Sequence, residues 1–310
     1  MQKSQLVEIK EERFTAVGKF LITGEYAVLD NVDALAIPLK LKQHLSIEPK
    51  AESQIEWIGR DVDQSVWMHE KFKIDDTGSV TPDPDSASKL IEVLQTALQL
   101  AGKEGFSSGF TATTTLDFDR QYGMGTSSTF IAMVAQWIGC DPFELQFKTF
   151  GGSGYDIACA TASKPIIYNY NDAQPEYDTI DFNPSFHKNL FFIYLNQKQN
   201  SRDSIAQFDA SKLSGEIREE LNTLPKKLVN AQDDLIQFQE LIVRHELLIS
   251  ELIGLEPVKE KLFADYNGAI KSLGGWGGDF ILAAGDPETP TYFRSRGYED
   301  IYHWNNLIAH

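Results

Sequence analysis

Apolar and polar positions trade places with a period of two through much of the first half of this chain. Residues 6–9 (Leu-Val-Glu-Ile) form a short β-prone run, and apolar positions alternate from Ala34 to Ile47 around Pro38. Gly109 to Phe118 alternates threonine with larger residues and predicts another strand. Asp30-Asn31 is a turn signal, and 75–85, with Asp, Thr, Gly and two prolines, predicts a loop. Between these strands the period lengthens. Leu90, Ile91, Leu94, Ala97, Leu98 and Ala101 recur at helical spacing, with Ser86 as the expected cap and Gly102 as the stop.

The second half is organised differently. Ser128 to Ile138 predicts a helix, 165–170 and 190–195 predict strands, and about 204–266 is helix-rich. Leu235, Phe238, Leu241, Ile242, Leu248, Ile249 and Leu252 form a long apolar stripe that places His245 at the edge of a core rather than among ligands. Phe280 to Ala284 and Thr291 to Arg294 are expected to close the chain as strands. No internal repeat or low-complexity tract interrupts it. The change of texture near Ser163-Lys164-Pro165 predicts two domains, 1–164 and 165–310.

Composition narrows the class without naming a fold. At 310 residues, with 42% hydrophobic and 24% charged residues, the chain has the make-up of a globular protein of one large or two ordinary domains. No stretch approaches the roughly 18 apolar residues of a membrane span. Met1-Gln2-Lys3-Ser4-Gln5 lacks signal-peptide character, and Cys140 and Cys159 form no metal or redox spacing, so a reduced, cytoplasmic protein is expected. A net charge of −17 argues against nucleic acid as a partner. Any anionic ligand must therefore be gathered by a few local cations.

Three glycine-rich segments supply candidate chemistry: Gly18-Lys19-Phe20-Leu21-Ile22-Thr23-Gly24-Glu25-Tyr26, Tyr122-Gly123-Met124-Gly125-Thr126-Ser127-Ser128, and Leu273-Gly274-Gly275-Trp276-Gly277-Gly278-Asp279-Phe280. A fourth, Gly152-Ser153-Gly154-Tyr155-Asp156-Ile157-Ala158, lies between the last two. In the second segment, Gly123 and Gly125 let backbone N–H groups approach an anion at a helix start, and three hydroxyls follow. No Gly-Lys-Ser/Thr ends it, so it is not a Walker loop. Asp156 is the candidate to accept a proton from an attacking oxygen, and Lys19 is the candidate cation for phosphates.

In this order the segments resemble those of the GHMP kinase superfamily, and in detail those of its phosphomevalonate and mevalonate kinases. Gly154-Tyr155-Asp156-Ile157-Ala158 also resembles the signature of the bacterial GYDIA-type subgroup. The resemblance implies an α+β fold of two domains, the first like the second domain of ribosomal protein S5 and the second ferredoxin-like. It implies ATP and Mg²⁺ as cofactors and a small anionic substrate, with neither nucleic acid nor membrane as partner and a monomer or homodimer as the working state.

Residue by residue, the resemblance implies Asp156 and Lys19 as catalytic residues and Gly123, Gly125, Thr126, Ser127 and Ser128 as the phosphate loop. Ser127 is implied as a Mg²⁺ ligand, with Glu144 the nearest acidic candidate to join it. Gly274, Gly275, Trp276, Gly277 and Gly278 match the motif that shapes the active-site floor. Glu25, Tyr26, Ser153, Gly154, Tyr155, Lys198, Ser201 and Arg202 are the candidates for holding substrate. Departures accompany the match. Thr126 and Ser128-Thr129-Phe130 are bulkier and more polar than the usual Gly-Leu-Gly-Ser-Ser-Ala, Trp276 replaces a glycine, and the stretch from Ser127 to Asp156 is short for the family. The implied activity is transfer of the γ-phosphoryl group of ATP to phosphomevalonate or mevalonate. A GHMP-fold binding protein without catalysis and a decarboxylase of a mevalonate derivative are the alternatives.

Overall fold

The computed structural model describes residues 5–75, 77–81, 89–171, 174–196, 208–276 and 279–308. Two compact units divide the chain. The first gathers Met1–Gly18, Leu41–Arg120 and Gly125–Thr161, and the second gathers Lys19–Lys40, Gln121–Met124 and Ala162–His310. The last crossing falls close to the expected break at 164, but 19–40 and 121–124 leave the N-terminal half to join the second unit.

The first unit follows from the alternating pattern. Its strands are β1 (Leu6–Val7), β2 (Glu12–Leu21) up to Gly18, β3 (Ala34–Pro49) from Leu41 onward, β4 (Gln54–Arg60), β5 (Val66–Ile74), β6 (Val80–Thr81), β7 (Gly105–Phe106) and β8 (Phe110–Leu116). Residues 43–49 of β3 pair antiparallel with β8, β8 pairs parallel with β4, and β4 pairs antiparallel with β5. Ile55 and Trp57 on β4 and Phe110, Ala112 and Leu116 on β8 point to one buried face, as period-two patterning requires.

Four helices belong to this unit: α1 (Lys89–Leu100), α2 (Thr126–Ile138), α3 (Pro142–Thr149) and α4 (Tyr155–Thr161). Trp137 of α2 stacks on Phe106 at 5.3 Å and meets Phe110 edge-on at 5.1 Å, anchoring α2 in the core. α2 begins two residues earlier than its apolar pattern announces. It ends at Gly139 in the left-handed region, where a glycine is favoured.

The second unit carries the hairpin β9 (Ile166–Asn171) and β10 (Gln174–Thr179), and β9 pairs with residues 34–36 of β3. Beyond them β11 (Leu190–Tyr194), β12 (Ala269–Leu273), β13 (Phe280–Ala284) and β14 (Ile301–His303) form an antiparallel sheet in the order β12-β13-β11-β14. Helices Gly215–Asn230 and Leu235–Ile253 pack on one another, and the latter also packs on β12. Phe20 stacks on Phe192 at 4.9 Å, and Tyr122 packs edge-on against Phe280 at 5.2 Å, which binds the two early excursions into this unit.

Two expectations change. Thr291–Arg294 is not a strand but part of the helix Thr289–Arg294, which Pro290 opens from its first turn. His245 does not sit at a core edge; it is completely buried. Among the described residues, no helix is long and apolar enough to cross a membrane.

Candidate active site

In the first unit the second glycine segment delivers α2. Gly125, at φ +96°, caps this helix with no side-chain hydrogen bond to the first-turn N–H groups. A helix start left this way presents donors and the positive end of a dipole to an anion. The three hydroxyls divide their work. Ser128 is buried and donates to the Gly125 carbonyl at 2.8 Å, so it braces the loop instead of facing phosphate as expected. Thr129 is likewise committed, donating to Gln43. Thr126 and the exposed Ser127 keep their side chains towards a cavity.

That cavity has a volume of about 240 Å³, and Trp67, Met68, Leu90, Phe130 and Phe150 supply its apolar walls. Trp67 owes its place to β4. A side chain at Gly59 would put a Cβ 2.8 Å from the indole, so glycine there leaves the ring its room. Arg120 lies 5.4 Å over the same ring. Lys89 stands at the rim, bonded to Glu92 at 2.7 Å and to the Thr149 carbonyl at 2.5 Å. A cavity with apolar walls beside an uncapped helix start suits a molecule with an aromatic base at one end and phosphates at the other.

Asp156 occupies the first turn of α4, which packs against α2. The turn before it is tight: Gly154 has φ +86°, and a Cβ there would come within 3.1 Å of Phe143 and Phe147. Ser153 is buried, while Tyr155 is half-buried. Glu144 is exposed in the first turn of α3, where Asp141 caps the helix by accepting the Glu144 N–H at 2.8 Å. Among the described residues no group of three or more His, Cys, Asp or Glu side chains could hold a metal ion.

In the second unit the first and third glycine segments meet. Lys19 is buried, and its N–H donates at 3.0 Å to the carbonyl of Met124, the residue before the α2 cap. Asp279 is buried as well, accepts the Gly275 N–H at 2.9 Å, and fills the space beside Gly123 and Gly274. Trp276 joins Tyr26, Leu252 and Ile253 in an apolar cluster; its indole N–H donates to the Glu256 carbonyl at 3.3 Å. Gly277 and Gly278 lie outside the described residues, as do Lys198, Ser201 and Arg202.

Glu25 and Tyr26, expected at the substrate, are instead sequestered. The Tyr26 hydroxyl accepts the Trp276 N–H at 3.1 Å. The Glu25 carboxylate is buried against Lys271, whose ammonium also donates to the Ser272 carbonyl at 2.6 Å and lies 3.3 Å from Glu246. Burial pushes the Glu25 carboxyl up to about 7, against the pull of Lys271. Burial also opposes the charge on Lys271, but Glu25 and Glu246 together hold it above its ordinary value. His245 is kept neutral, far below its ordinary value, by burial and then by the charge of Lys271. Accordingly its Nε2 accepts the Gly24 N–H at 2.9 Å.

Lys271, His245 and Glu246 were not anticipated, although one signal was available. A lysine inside the apolar strand Ala269–Leu273 must find a carboxylate if the strand is buried on both faces.

No family model and no curated protein matches the sequence. Solved structures do. The mevalonate kinase of Methanococcus jannaschii superposes with a TM-score of 0.69 at 13% identity, covering 97% of this chain and 99% of that one. The phosphomevalonate kinase of Streptococcus pneumoniae, solved with phosphomevalonate and AMPPNP, gives 0.69 at 17% identity over 94% and 99%. Lactococcus lactis galactokinase, solved with galactose, gives 0.67 at 12% identity over 95% and 93%. All three are GHMP kinases matched over nearly their whole length, and the chain has the two-domain GHMP kinase fold.

Proposed function

We propose that this protein is an ATP-dependent kinase that phosphorylates a small anionic acid, with phosphomevalonate or mevalonate as the acceptor. The observation that carries the proposal is the uncapped start of α2 beside the cavity walled by Trp67 and Phe130, with Thr126 and Ser127 between them. The cavity takes the nucleoside and the helix start takes the phosphates. The nucleotide analogue in the pneumococcal structure supports ATP as that ligand.

In the transfer itself, an acceptor oxygen forms a bond to the γ-phosphorus while the bond from phosphorus to the β,γ-bridging oxygen breaks and ADP leaves. Asp156 receives the acceptor's proton, and Lys19 offsets charge on the moving phosphoryl group. Mg²⁺ would be held by Ser127 with the nucleotide phosphates, a mode that needs no all-protein cage, and it would neutralise phosphate charge. Positioning and charge neutralisation account for most of what such a reaction requires.

The fold also serves galactokinase, so the acceptor must be found by experiment. Mevalonate, phosphomevalonate, homoserine and sugars should be offered with Mg·ATP and the phosphorylated product followed. Transfer to one of the two mevalonate compounds supports the proposal. Tight Mg·ATP binding with no transfer to any acceptor would replace it with a nucleotide-binding role.

A further inference from the structure

Three consecutive residues of the first glycine segment are each held by a different element of the second unit. The Gly24 N–H donates to His245 on the helix Leu235–Ile253, Glu25 pairs with Lys271 on β12, and the Tyr26 hydroxyl accepts from the backbone of Trp276. The turn they hold is not one the chain would adopt unaided. Gly24 has φ +86°, with no room for a Cβ, since one would lie 2.7 Å from that of Ala34. Tyr26, a bulky residue, sits at φ +61°. Such a backbone persists only where its surroundings over-determine it, and it concentrates at functional segments.

The supports are themselves expensive to keep. Glu25 Oε2 and His245 Nδ1 are buried with no hydrogen-bond partner among the described residues, and a lysine with two carboxylates is withdrawn from water. A well-packed apolar cluster would make a more stable core. Polar groups are retained here where they grip one turn.

We propose that His245 and Lys271 are positioning residues that lock the Gly24–Tyr26 turn, and so fix the end of the strand carrying Lys19. Neither touches a reacting atom. His245 accepts the Gly24 backbone N–H, and Lys271 fastens the next side chain to the strand leading into the third glycine segment. The effect on turnover rests on the kinase reading above, whereas the effect on the turn does not.

The test uses the full chain with His245→Leu, which keeps an apolar fit but removes the acceptor, and His245→Gln, whose carbonyl oxygen can accept the Gly24 N–H. Hydrogen exchange of the peptide spanning 22–28 should accelerate in His245→Leu and return towards wild type in His245→Gln. In the same pair kcat should fall about 10²-fold and recover, with Mg·ATP affinity unchanged. Unchanged exchange in His245→Leu would overturn the proposal, as would a loss of Mg·ATP affinity with kcat intact. If wild type transfers phosphate to no acceptor, the kinase reading fails and exchange alone decides the role of His245. Should His245→Leu not fold, the wild-type ring answers: ¹⁵N shifts must show a neutral imidazole protonated on Nδ1, and an Nε2–H tautomer would refute the lock.

Discussion

Gly123 and Asp279 share one space: a Cβ built on Gly123 would stand 2.7 Å from Asp279 Oδ2. The carboxylate is fixed there by the Gly275 N–H, so it has little freedom to move aside. Gly123 also adopts φ +68°. Gly123→Ala should therefore lose about 1–3 kcal/mol of stability in urea unfolding, from crowding and backbone strain together. Removing the obstacle with Asp279→Gly in the same chain should recover the crowding part alone. A Gly123→Ala protein as stable as wild type would show that the two residues do not compete.

Nucleotide binding should be visible at a single tryptophan. Of the five, Trp67 is 38% exposed while the other four are buried. Mg·ATP should quench Trp67 fluorescence, and Trp67→Ala should abolish the change and weaken binding about tenfold. Ser127→Ala should weaken the Mg²⁺ dependence of binding, whereas Ser128→Ala should act on stability through the lost bond to Gly125. Equal effects of the two serine variants on nucleotide affinity would contradict this division of labour.

Asp156 and Lys19 should behave as one unit in transfer. Asp156→Asn should retain Mg·ATP and lose roughly 10²–10⁴ in turnover. Lys19→Met should do the same, and the double variant should be little worse than either, because groups acting together do not add. Single-turnover rates on the three variants settle the point, and full activity in Asp156→Asn would remove it from the mechanism.

The buried cluster predicts opposing pH dependences. Glu25, raised from 4.5 to about 7, binds its proton more tightly folded than unfolded, so its contribution to stability is present below 4.5 and lost as pH rises towards 7. His245, depressed well below 6.5, contributes above 6.5 and loses that contribution as pH falls. Around Glu25 stand Lys271 and Ser272 from β12, His245 and Glu246 from the long helix, and Tyr26 on the turn itself. Between 4.5 and 6.5 the two slopes oppose one another. Relative to wild type, His245→Gln should gain stability as pH falls through this window, and Glu25→Gln should lose it. Denaturant unfolding at a series of pH values measures both, and parallel slopes would refute the assignment.

The sequence carried the periodic elements well and the long-range polar ones poorly. The stripe from Leu235 to Leu252 and the alternation of β8 depend on near neighbours, so they were visible locally. Thr291–Arg294 misled because Tyr292 and Phe293 favour strands, while Pro290 two residues into the helix outweighed them. The glycine spacing of the second segment marked the start of α2, with Gly125 as its cap. What it could not show is which hydroxyl turns inward: Ser127 and Ser128 are adjacent and chemically alike, and only the bond to Gly125 separates them. His245 looked like part of an apolar face because the N–H it serves lies far up the chain at Gly24.

The interleaving of the two units also sets an order of events during synthesis. Every residue of the first unit has been made once Thr161 emerges, so that unit can close while translation continues. In the second, the Gly24–Tyr26 turn must wait for His245 on the helix Leu235–Ile253, Lys271 on β12 and Trp276. The strained turn at Gly24–Tyr26 is thus made well before the elements that lock it. A chain stopped near 164 would carry the Gly24–Tyr26 turn but neither β12 nor the helix Leu235–Ile253 that hold it.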